Sequence, residues 1–134
     1  MRDPAERIAS AYRDFFLKRC RPEQLSKKFK NGGSLSTLVD YVCLSVDRNL
    51  NPHLRSQSSH LGIGPTSPMD YIGKLETFER DWGVIEEMLG NAGFSSDESL
   101  NVTQKLESSM LTSDDRRKLK IRFLGDFRTF GYLD

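Results

Sequence analysis

Arg2, Arg7 and Ser10 have the types and spacing of an anion site. Arg2 stands directly before Asp3-Pro4, and Arg7 and Ser10 follow within the next two helical turns. Asp3-Pro4 reads as a helix start: Asp offers a capping oxygen, and Pro at the first helical position loses no needed N–H. Backbone N–H groups, the positive end of the helix dipole, guanidinium groups and a hydroxyl then converge near one point, which suits a phosphate. The bland alternative on the same residues is a surface helix with ordinary solvated arginines.

The elements that must position these groups follow from periodicity. Ile8, Tyr12 and Phe15 recur at helical spacing and predict one apolar face. Ser34 caps an amphipathic helix running to about Arg48, with Leu35, Leu38, Val39, Val42 and Val46 on one side. A polar loop follows, Asn51-Pro-His53-Leu-Arg55-Ser-Gln57-Ser-Ser-His60, then Gly62 to Pro68 as further loop without the Gly-Lys-Ser/Thr ending of a phosphate loop. Met69–Leu75 reads as a short strand, and a helix from Glu76-Thr77 to Gly90-Asn91 carries Phe78, Trp82, Ile85 and Leu89 on one face. Gly73 would allow close backbone approach, with Lys74 and Glu76 either facing a ligand crevice or forming an internal pair. Residues 94–109 read as a long loop with Lys105 and the sequon Asn101-Val-Thr103. The last helix starts at Thr112-Ser113 and turns Leu119, Phe123 and Phe127 inward.

Composition narrows the classes. At 134 residues one domain, 1–134, is expected, with enough chain for a core. A net charge of +1 argues against a duplex-DNA binder, so no nucleic-acid partner is expected. No run of about 18 apolar residues predicts a membrane segment, and no basic-then-apolar leader opens the sequence. Cys20 and Cys43 lack metal spacing, so two unpaired thiols and no metal are expected. From Leu17 to Gly33 the chain is rich in Lys and Arg, either a solvated helix end or a positive rim for a sulfated or carboxylated glycan.

Three stretches in order resemble the carbohydrate sulfotransferases of the chondroitin, dermatan and HNK-1 type. Arg2-Asp-Pro-x-x-Arg7-x-x-Ser10-x-Tyr12-Arg13 is similar to that family's 3′-phosphate-binding segment. Asp70-Tyr-Ile-Gly-Lys-Leu-Glu-Thr-Phe-Glu79-x-Asp81 resembles its Tyr-Asp-Phe-Val/Ile-Gly-Lys-x-Glu-Thr-Leu-Glu-x-Asp. Phe123-Leu-Gly-Asp126-Phe127-Arg-Thr-Phe130-Gly131-Tyr132 resembles its closing Tyr-x-x-Asp-Phe-x-x-Phe-Gly-Tyr. The loop at 51–57 matches an Asn-x-His-Trp-x-Pro-Gln element at His53 and Gln57, with Leu54 for Trp and Ser56 for Pro.

The resemblance implies an α/β fold, the C-terminal part of a P-loop-type sulfotransferase, predominantly helical with one or two short parallel strands. It implies 3′-phosphoadenylyl sulfate as co-substrate, with Arg2 and Ser10 on its 3′-phosphate, Arg7 nearby, and His53 and Gln57 toward a carbohydrate or glycan acceptor. The family's 5′-phosphosulfate loop, Pro-Lys-x-x-(Ser/Cys)-(Ser/Thr), has no match, and its presumed base lies upstream of Arg2. The catalytic base is therefore unassigned, and catalysis by this chain alone is not expected. Met1 stands where the family has the last residue of a strand, so the open reading frame is expected to extend upstream. A fragment lacking those first strands would self-associate or need an upstream complementing segment. The default compartment is then the cytoplasm, or a membrane-anchored or Golgi lumenal setting if an N-terminal segment is missing. The alternatives are a non-catalytic remnant or binding module, and a small helical interaction protein.

Overall fold

The computed structural model describes residues 1–18, 22–62, 69–90 and 110–133. Asp3 starts the first helix as its residue type predicts, its Oδ1 accepting from Ala5 N at 2.8 Å and Glu6 N at 3.0 Å. That helix, α1 (Pro4–Tyr12), widens into a π-turn over Arg13–Leu17 that keeps Phe15 in the core. Short α2 (Glu23–Lys28) leads to α3 (Leu35–Leu44), where Ser34 Oγ accepts from Thr37 N at 3.2 Å. The remaining helices are α4 (Gln57–Leu61), α5 (Phe78–Met88), α6 (Ser113–Arg122) and α7 (Leu124–Thr129).

Helices α1, α3 and α6 pack on one another, and α4 packs on α7. Ile8, Leu38, Val39, Val42 and Leu119 are fully buried at the centre of this arrangement. Removing each such side chain from water stabilises the fold by about 1.5–3 kcal/mol, so this three-helix seam dominates the packing energy. α6 is held at its start by a capping box, Thr112 with Asp115, and Ser36 Oγ on α3 donates to the same Asp115 carboxylate at 2.9 Å. No helix among the described residues is long and apolar enough to cross a membrane.

The expected α/β architecture is not found: the described residues form helices and no strand. Met69–Leu75, read as a strand, is irregular chain with a bend at Asp70 that ends in a 3₁₀ turn at Leu75–Thr77. Among the described residues no run of chain pairs with it as a strand. Met1 N donates to Gly73 O and Leu75 N donates to Met1 O. A ladder needs several such rungs in succession. The Lys74 N–H goes instead to the Asp81 carboxylate at 2.6 Å. Gly73 does permit a close approach, but of α5: a Cβ there would lie 3.2 Å from Asp81 Cβ.

Two helix boundaries also differ from the periodic reading. α3 stops at Leu44, short of Arg48, because Arg122 of α6 takes the carbonyls at its end. Arg122 Nε donates to Val42 O at 3.1 Å, and its terminal nitrogen reaches Ser45 O at 3.0 Å and Asp47 at 2.6 Å. Val46 consequently points outward. The closing helix breaks at Phe123 (φ −109°, ψ 29°) into α6 and α7, while Leu119, Phe123 and Phe127 are buried as their spacing predicts. On α5, Phe78 and Leu89 are exposed, so its expected inward face is only partly used.

Lys74 and Glu76 do not pair with each other. Both clasp the chain ends. Lys74 Nζ donates to Gly131 O at 2.9 Å and lies 4.6 Å from the Tyr132 ring centroid. Glu76 accepts from Asp3 N at 2.8 Å and from Tyr132 OH at 2.7 Å. Burial works to raise the Glu76 carboxyl, but the bonds from Asp3 N and Tyr132 OH outweigh it and hold it below its ordinary 4.5. Tyr132 is raised above its ordinary 10.0 by burial and by that same carboxylate.

The signs give two flanks. A depressed carboxyl contributes stability above its unfolded value and loses it as pH falls through the folded one. A raised phenol contributes below its unfolded value and loses it as pH rises through the folded one. The unfolding temperature should therefore be level from about pH 5 to about pH 9.5 and fall on both sides. Tyr132→Phe should flatten the alkaline fall and reduce the acid one. An unchanged alkaline profile in thermal melts would refute the clasp.

Candidate functional site

Arg2, Arg7, Ser10, His53 and Gln57 all line one cleft of about 530 Å³ between α1, the Pro52–Leu54 turn and α4. Their sequence separation reaches 55 residues, so the fold has assembled them from two distant segments.

Gln57 fixes the mouth of the cleft. It is buried, and its side-chain amide brackets Arg2: Arg2 N donates to Gln57 Oε1 at 3.2 Å, and Gln57 Nε2 donates to Arg2 O at 2.8 Å. Both ends of the amide thus hold backbone, and the group positions Arg2 where a sugar contact was expected. Gln57 is itself held by Asp126 of α7, which is 1% exposed. Asp126 accepts from Gln57 N at 2.6 Å, Ser58 N at 3.0 Å, Ser56 Oγ at 2.7 Å and Ser58 Oγ at 2.6 Å. A buried carboxylate therefore closes the N-terminus of α4, satisfying N–H groups that would otherwise have no helical partner. At α1 the Asp3 carboxylate does the same, so an anion in this cleft meets side chains rather than a bare helix end.

Arg7 is turned to the loop. Its guanidinium donates to His53 O at 2.8 Å and to Arg55 O, tying α1 to residues 53–55. Burial lowers its pKa from the ordinary arginine value, against the opposing pull of Asp126 and Asp47. Arg7→Ala should cost about 1.5–3 kcal/mol in urea unfolding, with Arg7→Lys recovering only part, since one ammonium cannot reproduce the planar two-pronged contact. Full rescue by Lys would refute that geometry. His53 packs its ring edge-on to Phe15, centroids 5.8 Å apart, and its backbone N–H donates to Asn51 Oδ1 at 3.0 Å.

Asp14 and His60 also line the cleft and were not singled out from sequence. Asp14 lies one helical turn past Ser10, a spacing that could have flagged it. It is ion-paired to Lys18 at 2.8 Å. His60 lies three residues past Gln57 on α4. Lys74 and Glu76 are not among the cleft residues. Cys20, Asn101 and Lys105 fall outside the described residues; Cys43 is a free, half-buried thiol that burial pushes up.

Together these features define a helical fold with an open cleft, in which an arginine, a hydroxyl and two imidazoles stand on a buried hydrogen-bonded frame. A model of the sulfotransferase family matches residues 1–133, and the chain belongs to that family. The resemblance noted in the sequence holds at that level, and the family assigns sulfotransferase function in general terms. No curated protein and no solved structure matches the chain.

Proposed function

We propose that this chain supplies the 3′-phosphate-binding half of a sulfotransferase that moves a sulfuryl group from 3′-phosphoadenylyl sulfate to a carbohydrate hydroxyl. Arg2 and Ser10 take the 3′-phosphate, a cation and a hydroxyl suited to its charge and its lone pairs. Arg7 and Gln57 act through structure, one fixing the loop and the other the backbone of Arg2. His53 faces the acceptor side. In the reaction the sugar oxygen attacks sulfur in line, and the bond from sulfur to the donor's 5′-phosphate oxygen breaks. The hydroxyl proton passes to a base, and 3′-phosphoadenosine 5′-phosphate departs.

The observation that carries this reading is the Gln57 bracket on Arg2, which holds that arginine at the same cleft as Ser10. Family membership supports the donor class. Calorimetric titration of 3′-phosphoadenosine 5′-phosphate tests it: saturable binding is expected, and no binding to folded protein would overturn it.

A further inference from the structure

We propose that the groove between α2 and α3 is a docking site for an anionic saccharide chain, separate from the Arg2–Ser10 cleft. The groove measures about 660 Å³ and shares no lining residue with that cleft. Lys27, Lys28 and Lys30 line it from the end of α2 and the turn that follows; Asn31, Thr37 and Tyr41 line it as well. Three ammonium groups within four consecutive positions meet closely spaced sulfates or carboxylates as point charges, without demanding planar geometry. Lys27 is paired with Glu23 at 2.7 Å, but both are widely exposed, and so weak a pair yields readily to a competing anion.

The shape is fixed by packing. Phe29 meets Tyr41 edge-on at 5.6 Å and Phe16 edge-on at 5.4 Å, so the aromatic wall is anchored to the π-turn that follows α1. Lys28 Nζ lies 5.8 Å from the Tyr41 centroid, which holds that ammonium against the groove. Gly32, at φ +85°, allows the turn that brings Lys30 and Asn31 round, and a Cβ on Gly33 would meet Phe29 at 2.9 Å.

The occupant follows from the mixture of groups. Hydroxyl, amide and half-buried aromatic surface beside lysines suit a ligand with hydroxyls, C–H faces and anionic groups together. Asp40, also in the groove and held at 2.8 Å by Lys118, is an acceptor for a sugar hydroxyl. The chain's net charge of +1 gives no broad positive field of the kind nucleic acid binders use.

The test is calorimetric titration of a heparin hexasaccharide into the full chain, with a neutral dextran oligosaccharide, polyglutamate and oligo-dT of matched charge as comparisons. Saturable binding is expected for the hexasaccharide, at least tenfold tighter than for the other three. It should weaken tenfold or more in Lys27→Ser/Lys28→Ser/Lys30→Ser and persist in Arg2→Ala. The triple variant should keep its unfolding temperature and its affinity for 3′-phosphoadenosine 5′-phosphate, so failure here is distinct from failure of the donor site. No saturable binding, equal binding of polyglutamate or oligo-dT, or affinity unchanged in the triple variant would overturn the proposal.

Discussion

Arg2→Ala should weaken binding of 3′-phosphoadenosine 5′-phosphate by roughly 10- to 150-fold, the equivalent of about 1.5–3 kcal/mol for hydrogen bonds to a charged group. Gln57 holds Arg2 through its backbone N and O, both of which alanine keeps, so this bracket should stay in place when the guanidinium is removed. Ser10→Ala removes one hydroxyl and should cost less, about 2- to 12-fold, because a neutral hydrogen bond contributes about 0.5–1.5 kcal/mol. Calorimetry on the three proteins gives the order wild type, Ser10→Ala, Arg2→Ala. Equal affinities for wild type and Arg2→Ala would remove Arg2 from the site, whatever the nucleotide does elsewhere.

Asp126→Ala should lower stability by about 3–4 kcal/mol, a large part of the roughly 5–15 kcal/mol that holds a domain together. Four donors converge on this carboxylate, two of them N–H groups in the first turn of α4. Alanine leaves those groups without a partner where water has little access, and the desolvation cost then appears in full. Asp126→Asn keeps the shape but turns an NH₂ toward at least one of these donors, so it should recover only part of the loss. Because Gln57 is held by Asp126 and in turn holds Arg2, nucleotide affinity should fall along with stability. Urea unfolding with parallel titrations separates these effects. A loss under about 1 kcal/mol would mean that water or neighbouring groups replace the carboxylate.

The two effects have different origins, and the sequence displayed them unequally. Arg2 and Ser10 stood out because helix-start chemistry and a short motif set one just before and the other within the same helix, within ten residues. Asp126 was visible only as a member of a closing phrase that read as packing. Its role is packing of a polar kind: it joins α7 to α4 and through Gln57 supports the cleft. Gln57, expected toward the acceptor, lines the cleft, and its amide holds the backbone of Arg2, a contact set by a chain crossing 55 residues away in sequence.

The sequence by itself determined the helices with strong apolar periodicity, their Asp3, Ser34 and Thr112 caps, and the family. These are local properties, carried by spacing and by side chains that bond within one or two turns. Tertiary structure decided where local signals end or compete. It stopped α3 at Leu44 because Arg122 arrives from α6 to take the last carbonyls. It left Met69–Leu75 without strand pairing among the described residues, because a strand exists only through a partner; Met1 bonds to the backbone of Gly73 and Leu75, and the Lys74 N–H goes to the Asp81 side chain. It turned Lys74 and Glu76 from a ligand crevice to the chain ends, where Gly131, Tyr132 and Asp3 supply their partners. Hydrogen-bond partners distant in sequence have no period to read, so only the folded chain can assign them.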